Sequence, residues 1–202
     1  LITIIVFAVI AIFSAYFGKD AVENKLGTPS GNIEISYLDV GQGDAAYIKV
    51  NDFDILVDAG PRSDSDKLIE QLEEKNIDDF EIVIATHPHE DHIGGMTKVF
   101  DRYDVENFYM PKTTNTTKTF ENMMKAVSNE GLKAKVIKEG TSFELGEGAR
   151  IDVYSPMNEE YDDFNNYSPI MKLTYGNNTF IFTGDAEKEV EKEVLEKYSN
   201  VL

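Results

Sequence analysis

The chain has no cysteine, which excludes a disulfide framework and any thiolate metal site, so a metal held here would have only nitrogen and oxygen ligands. Basic residues are few: nineteen Lys and Arg stand against thirty-seven Asp and Glu, a net charge of −18. The field of such a surface repels a polyanion and disfavours a passive nucleic-acid clamp. An enzyme acting on phosphate esters survives that objection, because divalent cations in a site invert the local potential. No internal repeat and no low-complexity tract is visible, which sets repeat architectures aside. Histidine is scarce too, and all three, His87, His89 and His92, fall within the stretch THPHEDHIGG.

A length of 202 residues with 42% apolar content is enough for one ordinary domain with an appendage. Residues 1–17, LITIIVFAVIAIFSAYF, carry no charge. At about 1.5 Å of rise per residue they approach the ~30 Å of a bilayer core. They read as a transmembrane or signal-anchor segment. The rival is a cleaved signal peptide, although FSAYFGKDA offers no clean A-x-A site; a buried core helix is the plainer alternative. Anchor or signal, the segment puts the domain outside the cytoplasm, at the cell membrane or secreted after cleavage. The start on Leu1 leads to the expectation that residues precede it. Residues 18–31, GKDAVENKLGTPSG, read as a linker, and 32–202 as the folded domain.

Within 32–60 the alternation of NIEISYLDV, AAYIKV and DFDILVDAG predicts a β-meander, and SDKLIEQLEEKN then has helical spacing. FEIVIATH is a short apolar strand, HIGGMTKVFDRY a helix, and NFYM and AKVIK are strands flanking a helix around TFENMMKAVSNEG. Strands return at RIDVYSP, PIMKLTYG and NTFIFTGD, and AEKEVEKEVLEKYSN closes as a helix with a solvated, Glu–Lys laced face. The order implies an α/β fold, two sheets with helices outside.

Three unpaired imidazoles buried beside carboxylates are costly, and a metal removes that cost. At the end of the strand a period of two puts His87 and His89 on one side, where two nitrogens meet one ion. The turn into the next helix lets Asp91 and His92 face a neighbouring point, an arrangement for two ions. Two divalent ions can hold the attacking and leaving oxygens of a displacement, and Asp91 can hold the proton. Histidine and carboxylate ligands suit zinc, manganese and iron.

THPHEDHIGG resembles the H-x-H-x-D-H motif of the metallo-β-lactamase superfamily. YLDVGQGDAAYI, ILVDAG and FIFTGD resemble the sequence blocks of its ComEC branch, the extracellular hydrolase-like domain of a DNA-uptake channel protein. The resemblance implies an αββα sandwich with a binuclear centre at the edge between the sheets. It implies that His87 and His89 bind one metal, that Asp91 and His92 bind the second, and that Asp185 bridges them. Asp58 would orient a ligand histidine. Asp39 and Asp44 flank the GQG turn, either as rim residues with a function or as turn residues alone. Many members supply a third histidine to the first metal before TGD; this chain carries NNYSPIMKL there, with Asn166 and Ser168, as ComEC-like sequences do. The family's last ligand histidine follows a strand whose start looks like NVL, so the expectation is that the C-terminal part is missing.

The resulting expectation is a membrane-anchored, extracytoplasmic hydrolase with two divalent ions, zinc or manganese. It would cleave phosphodiesters, with single-stranded DNA as substrate and a DNA-uptake channel as partner. One alternative is a secreted phosphodiesterase or phosphorylcholine-type esterase on small or cell-wall substrates, which suits the acidity. Another is a non-catalytic module that binds DNA or a partner.

Overall fold

A computed structural model describes residues 27–29 and 31–199. The apolar run at 1–17 lies outside the described residues, and among the described residues no helix is long and apolar enough to cross a membrane.

The predicted meander is β1 (Ile33–Tyr37), β2 (Ala46–Val50) and β3 (Phe53–Val57), paired antiparallel. After helix α1 (Ser65–Glu73), strands β4 (Asp79–Phe80) and β5 (Ile82–Ile84) lead to helices α2 (Glu90–Ile93) and α3 (Met96–Arg102). Then come β6 (Asp104–Val105), β7 (Phe108–Met110), helix α4 (Lys118–Asn129) and β8 (Lys135–Val136). The first sheet has the order β1-β2-β3-β5-β7-β8, parallel from β3 onwards, and β4 with β6 makes a small parallel ladder. The second sheet is antiparallel: β9 (Ser142–Glu144), β10 (Ala149–Val153), β11 (Met171–Tyr175) and β12 (Asn178–Phe182) in the order β12-β11-β10-β9, followed by helix α5 (Lys188–Tyr198).

The side-chain period of a strand sorts the core into two layers. Ile55 and Val57 of β3 and Ile82 and Ile84 of β5 face the second sheet and meet Ile151 and Leu173. Between them Leu56 and Val83 point the other way, onto Leu68 of α1, Met96 of α3 and Met123 of α4. On the far side α5 buries Val190 and Val194 against Tyr154 and Ile170. These layers make the expected αββα sandwich. The closing helix is therefore less solvated than its charge suggests, although Lys192 and Glu196 do pair at i, i+4.

The sequence reading misses the short strands β6 and β9 and does not separate β4 from β5, and one predicted helix is interrupted. HIGGMTKVFDRY is two helices, broken at Gly94 and Gly95. Gly95 N–H donates to Gly60 O (3.0 Å), and Asp91 O accepts from Asp44 N–H (3.2 Å). Two hydrogen bonds to other loops replace the one that would have continued the helix. The turn before β2 reaches Asp91 because Gly43, at φ +147, has no Cβ; one placed there would stand 2.2 Å from Asp91 O.

Candidate metal centre

The parallel register Val57↔Ile84 ends β3 and β5 side by side, so Asp58 and Thr86 emerge at the same edge of the sheet. Asp58 N–H donates to Ile84 O (2.9 Å), and the residue takes a left-handed φ of 60. A non-glycine residue at such a φ is uncommon, and aspartate is among those that tolerate it. From the second sheet, the end of β12 delivers Asp185 and the β10–β11 loop delivers Ser168 to this edge.

Asp58, wholly buried, accepts three donors. Thr86 N–H reaches Oδ1 at 2.8 Å, while the Thr86 hydroxyl and His92 Nδ1 reach Oδ2 at 2.6 and 2.8 Å. The single hydroxyl proton of Thr86 goes to Asp58, so toward His87 Nδ1, 3.0 Å away, Thr86 Oγ1 can only accept. His87 therefore carries its proton on Nδ1 and leaves Nε2 free. His92, donating from Nδ1, directs its own Nε2 away from Asp58, as the position that a cation can take from a proton. One carboxylate thus sets the tautomer of two histidines, directly for His92 and through Thr86 for His87.

Both Nε2 atoms look outward. His87 Nε2 lies 3.0 Å from His89 Nδ1, and His92 Nε2 lies 3.4 Å from Asp185 Oδ1. Ligand atoms of His87, His92 and Asp185 all fall within 4.8 Å of one another. Asp91 sits on α2 close enough for its charge to act on His92. Burial, then the charges of His92 and His89, push His87 down to about 3, so it is neutral and able to ligate. Burial also works against a charge on His92, but the hydrogen bond and charge of Asp58, followed by Asp185 and Asp91, outweigh it and raise His92 to about 9. Burial pushes Asp58 upward against its bonds to His92 and Thr86. With all three partners donating to it, the carboxylate is the form that fits, and the pair is an ion pair whose proton on Nε2 a cation would replace.

The donor set suits a divalent cation: two imidazole nitrogens and a carboxylate oxygen, from His87, His92 and Asp185, come together, with His89 Nδ1 beside His87. The turn carrying Phe164 against His89, ring centroids 6.0 Å apart, also holds Asn165 Oδ1, a buried acceptor without a hydrogen-bond partner among the described residues.

Of the other expected residues, Ser168 lies against the cluster and the rest lie farther out. Ser168, fully buried, accepts from Asp185 N–H (3.2 Å) and stands 3.3 Å from His87 Nδ1. Asn166 turns to the start of α5, accepting from Glu187 N–H (3.1 Å) and donating to Glu187 and Glu189 carboxylates. Asp39 accepts from Gly41 N–H at the tip of the turn and pairs with Lys67 of α1, away from the histidines. Asp44 contributes through its backbone. Thr86 and Phe164 had no role in the sequence reading; the only signal for Thr86 is its place directly before His87.

A sequence profile described as the metallo-beta-lactamase superfamily matches residues 38–200. The chain belongs to that superfamily. Members of the metallo-beta-lactamase superfamily are metal-dependent hydrolases that use divalent ions, usually zinc. The chain is 27% identical over 186 residues to ComE operon protein 3 of Bacillus subtilis, covering 83% of this chain and 24% of that protein. It is 32% identical over 73 residues to exodeoxyribonuclease YycJ of Bacillus anthracis, covering 36% of this chain and 28% of that protein. The chain thus spans about a quarter of the length of these curated relatives. Among solved metallo-beta-lactamase folds, MIM-2 superposes with a TM-score of 0.54 at 14% identity, over 89% of this chain and 75% of that one. YhfI of Bacillus subtilis does so with 0.51 at 16%, over 76% and 62%. These two share the fold.

Proposed function

We propose that this superfamily hydrolase is a phosphodiesterase that cleaves single-stranded DNA on the outer side of a membrane. The observation that carries the reading is the pair of adjacent donor sets, His87 Nε2 with His89 Nδ1 and His92 Nε2 with Asp185 Oδ1. Two divalent ions, zinc or manganese, would supply Lewis-acid charge and a nucleophile available at neutral pH when bound there. His87 and His89 would hold one, Asp91 and His92 the other, with Asp185 between. Asp58 and Thr86 keep the two ring orientations, Ser168 fixes the Asp185 backbone, and the Asp91 carboxylate holds the transferred proton. Asp39 and Asp44 belong to the rim. DNA as the substrate draws its support from the similarity to ComE operon protein 3 and to an exodeoxyribonuclease. An uptake channel as partner, a membrane anchor at residues 1–17 followed by a linker, and an extracytoplasmic position belong to the same reading.

The net charge of −18 favours a second reading, a secreted phosphodiesterase or phosphorylcholine-type esterase on small substrates. One experiment separates the two. Metal content is measured on the full-length protein, and hydrolysis of single-stranded DNA and of bis(p-nitrophenyl) phosphate is followed with added zinc or manganese, beside an Asp91→Ala, His92→Ala double variant. Metal-dependent DNA cleavage that the double variant loses is the expected result. Cleavage of the ester alone moves the assignment to the second reading, and a protein that takes up no metal and cleaves neither sinks both.

A further inference from the structure

The stretch YDDFNNY carries aromatic residues at 161, 164 and 167, and the tight 3-10 turn Phe164–Tyr167 gathers them beside the histidines. The rings form a chain leading out from the centre: His89 to Phe164 at 6.0 Å, Phe164 to Tyr167 at 6.3 Å, Tyr167 to Tyr161 at 5.4 Å. Both tyrosine hydroxyls are committed. Tyr167 Oη accepts from Tyr161 N–H, and Tyr161 Oη donates to Glu193. The rings are thereby held in place, and Phe164 keeps part of its face open to a groove, with the exposed carboxylates of Asp162 and Asp163 beside it.

These rings are one wall of that open groove of about 680 Å³, whose other residues include Met110, Lys112, Phe120 and Val136. Val136 is 50% exposed, an apolar side chain left uncovered on strand β8. The charged lining is balanced, Lys112 and Lys135 against Glu159 and Glu160. On a molecule of net charge −18, a lining with as many lysines as glutamates opposes an anion less than the average surface does. Lys112 and Glu159 pair at 2.5 Å with side chains 72% and 68% exposed. Such a pair is weak, so an arriving phosphate can take the ammonium from the carboxylate.

We infer that this groove receives an unpaired nucleobase, stacked on Phe164, of a single-stranded nucleic acid whose phosphodiester lies at the histidines, with Lys112 turning to an adjoining phosphate. The inference rests on the phosphodiesterase reading and adds the part of the polymer that is held, a base beside the scissile phosphate. A planar, uncharged, π-faced group is what an aromatic, charge-balanced groove takes, and continuity with His89 places it next to the reacting phosphate. Bases in a duplex have their faces already stacked on neighbours and would have to be extruded first.

The test compares hydrolysis, by the metal-loaded full-length protein, of a single-stranded oligodeoxynucleotide and of an equally long strand of abasic sites. The expected kcat/KM ratio in favour of the base-bearing strand is roughly tenfold or more, the range in which base–aromatic stacking acts. Phe164→Leu removes most of that preference through KM while metal stoichiometry and the near-ultraviolet spectrum stay as in the wild type. Lys112→Ala, a surface change, lowers the slope of log affinity against log salt by about 0.7. Equal cleavage of the two strands, or a Phe164→Leu variant that keeps the preference, overturns the groove and leaves the nuclease standing. Cleavage of bis(p-nitrophenyl) phosphate with neither strand attacked overturns the nuclease reading and the groove with it.

Discussion

Asp58 joins the two halves of the histidine cluster, so its loss affects both. Asp58→Asn keeps the size and the tolerance for a left-handed φ but exchanges a full carboxylate for an amide. The expected outcome is a folded protein whose metal affinity, read by isothermal titration, is about 10–100-fold weaker. Asp58→Ala adds backbone strain of about 1–3 kcal/mol to that defect and lowers Tm as well. Thr86→Val removes the relay alone. It is expected to cost about 1–3 kcal/mol in urea denaturation, because Asp58 and His87 each lose a buried partner. The histidines, Asp58 and Asp185 were legible in the sequence because their blocks are local strings. Thr86 was not, since its meaning depends on β3 and β5 lying parallel in one register, a long-range fact. Asn166 misled for the same reason: nothing in NNYS says that its amide meets the start of a helix some twenty positions on, at Glu187.

The longer strands were read to within about three residues at their ends, as alternation where one face is solvated and as short apolar runs such as Ile82–Ile84 where both faces are covered. Strands β6 and β9, two and three residues long, carry too little pattern to be read. The stretch from His92 to Tyr103 was read as one helix, and here donors from elsewhere overrode helical spacing. The Asp91 carbonyl is taken by Asp44, and the Gly95 amide by Gly60. The arrangement gives Gly43 a role beyond turning the chain. Gly43→Ala sets a methyl against Asp91 O, where only 2.2 Å is available. The turn must withdraw and α2 must shift with its ligands. We expect a loss of about 1–3 kcal/mol, seen as a Tm lower by about 2–4 °C for each kcal/mol, accompanied by weaker metal binding. A variant that melts early but binds metal normally would show that the turn supports the fold and not the centre.

At the scale of the whole molecule, the apolar layers lie between the sheets and under the helices, and we expect the fold to stand without metal. Chelation is expected to leave the circular dichroism at 25 °C unchanged. It should lower Tm by about 5–11 °C relative to protein with metal at a hundred times its Kd, a linkage of about 2.7 kcal/mol. Collapse on chelation would mean that the centre holds the sheets together. Alkaline pH acts through a different group. Burial, reinforced by the hydrogen bond to Asp54, pushes the Tyr47 phenol far above its ordinary value of 10.0. In the unfolded chain that phenol ionises from about pH 10 upward, whereas in the folded chain it does not. The stability it gives is complete below that pH and declines as pH rises beyond it. Urea midpoints at pH 9 and pH 11 should therefore fall in the wild type and fall less in Tyr47→Phe.

The rim beside the centre is fastened by main chain: Asp44 donates to Asp91 and accepts from Gly60 through backbone atoms, and Gly43 contributes by having no side chain. The exposed side chains on that rim, Asp39, Gln42 and Asp44, are therefore spectators to ligand geometry. Descendants of such a protein can exchange them freely, acquiring new substrate preferences by drift or selection while inheriting the metal-binding arrangement intact. A randomised library over residues 39, 42 and 44, with the buried Val40 and both glycines retained, is the place to look for altered specificity without lost metal.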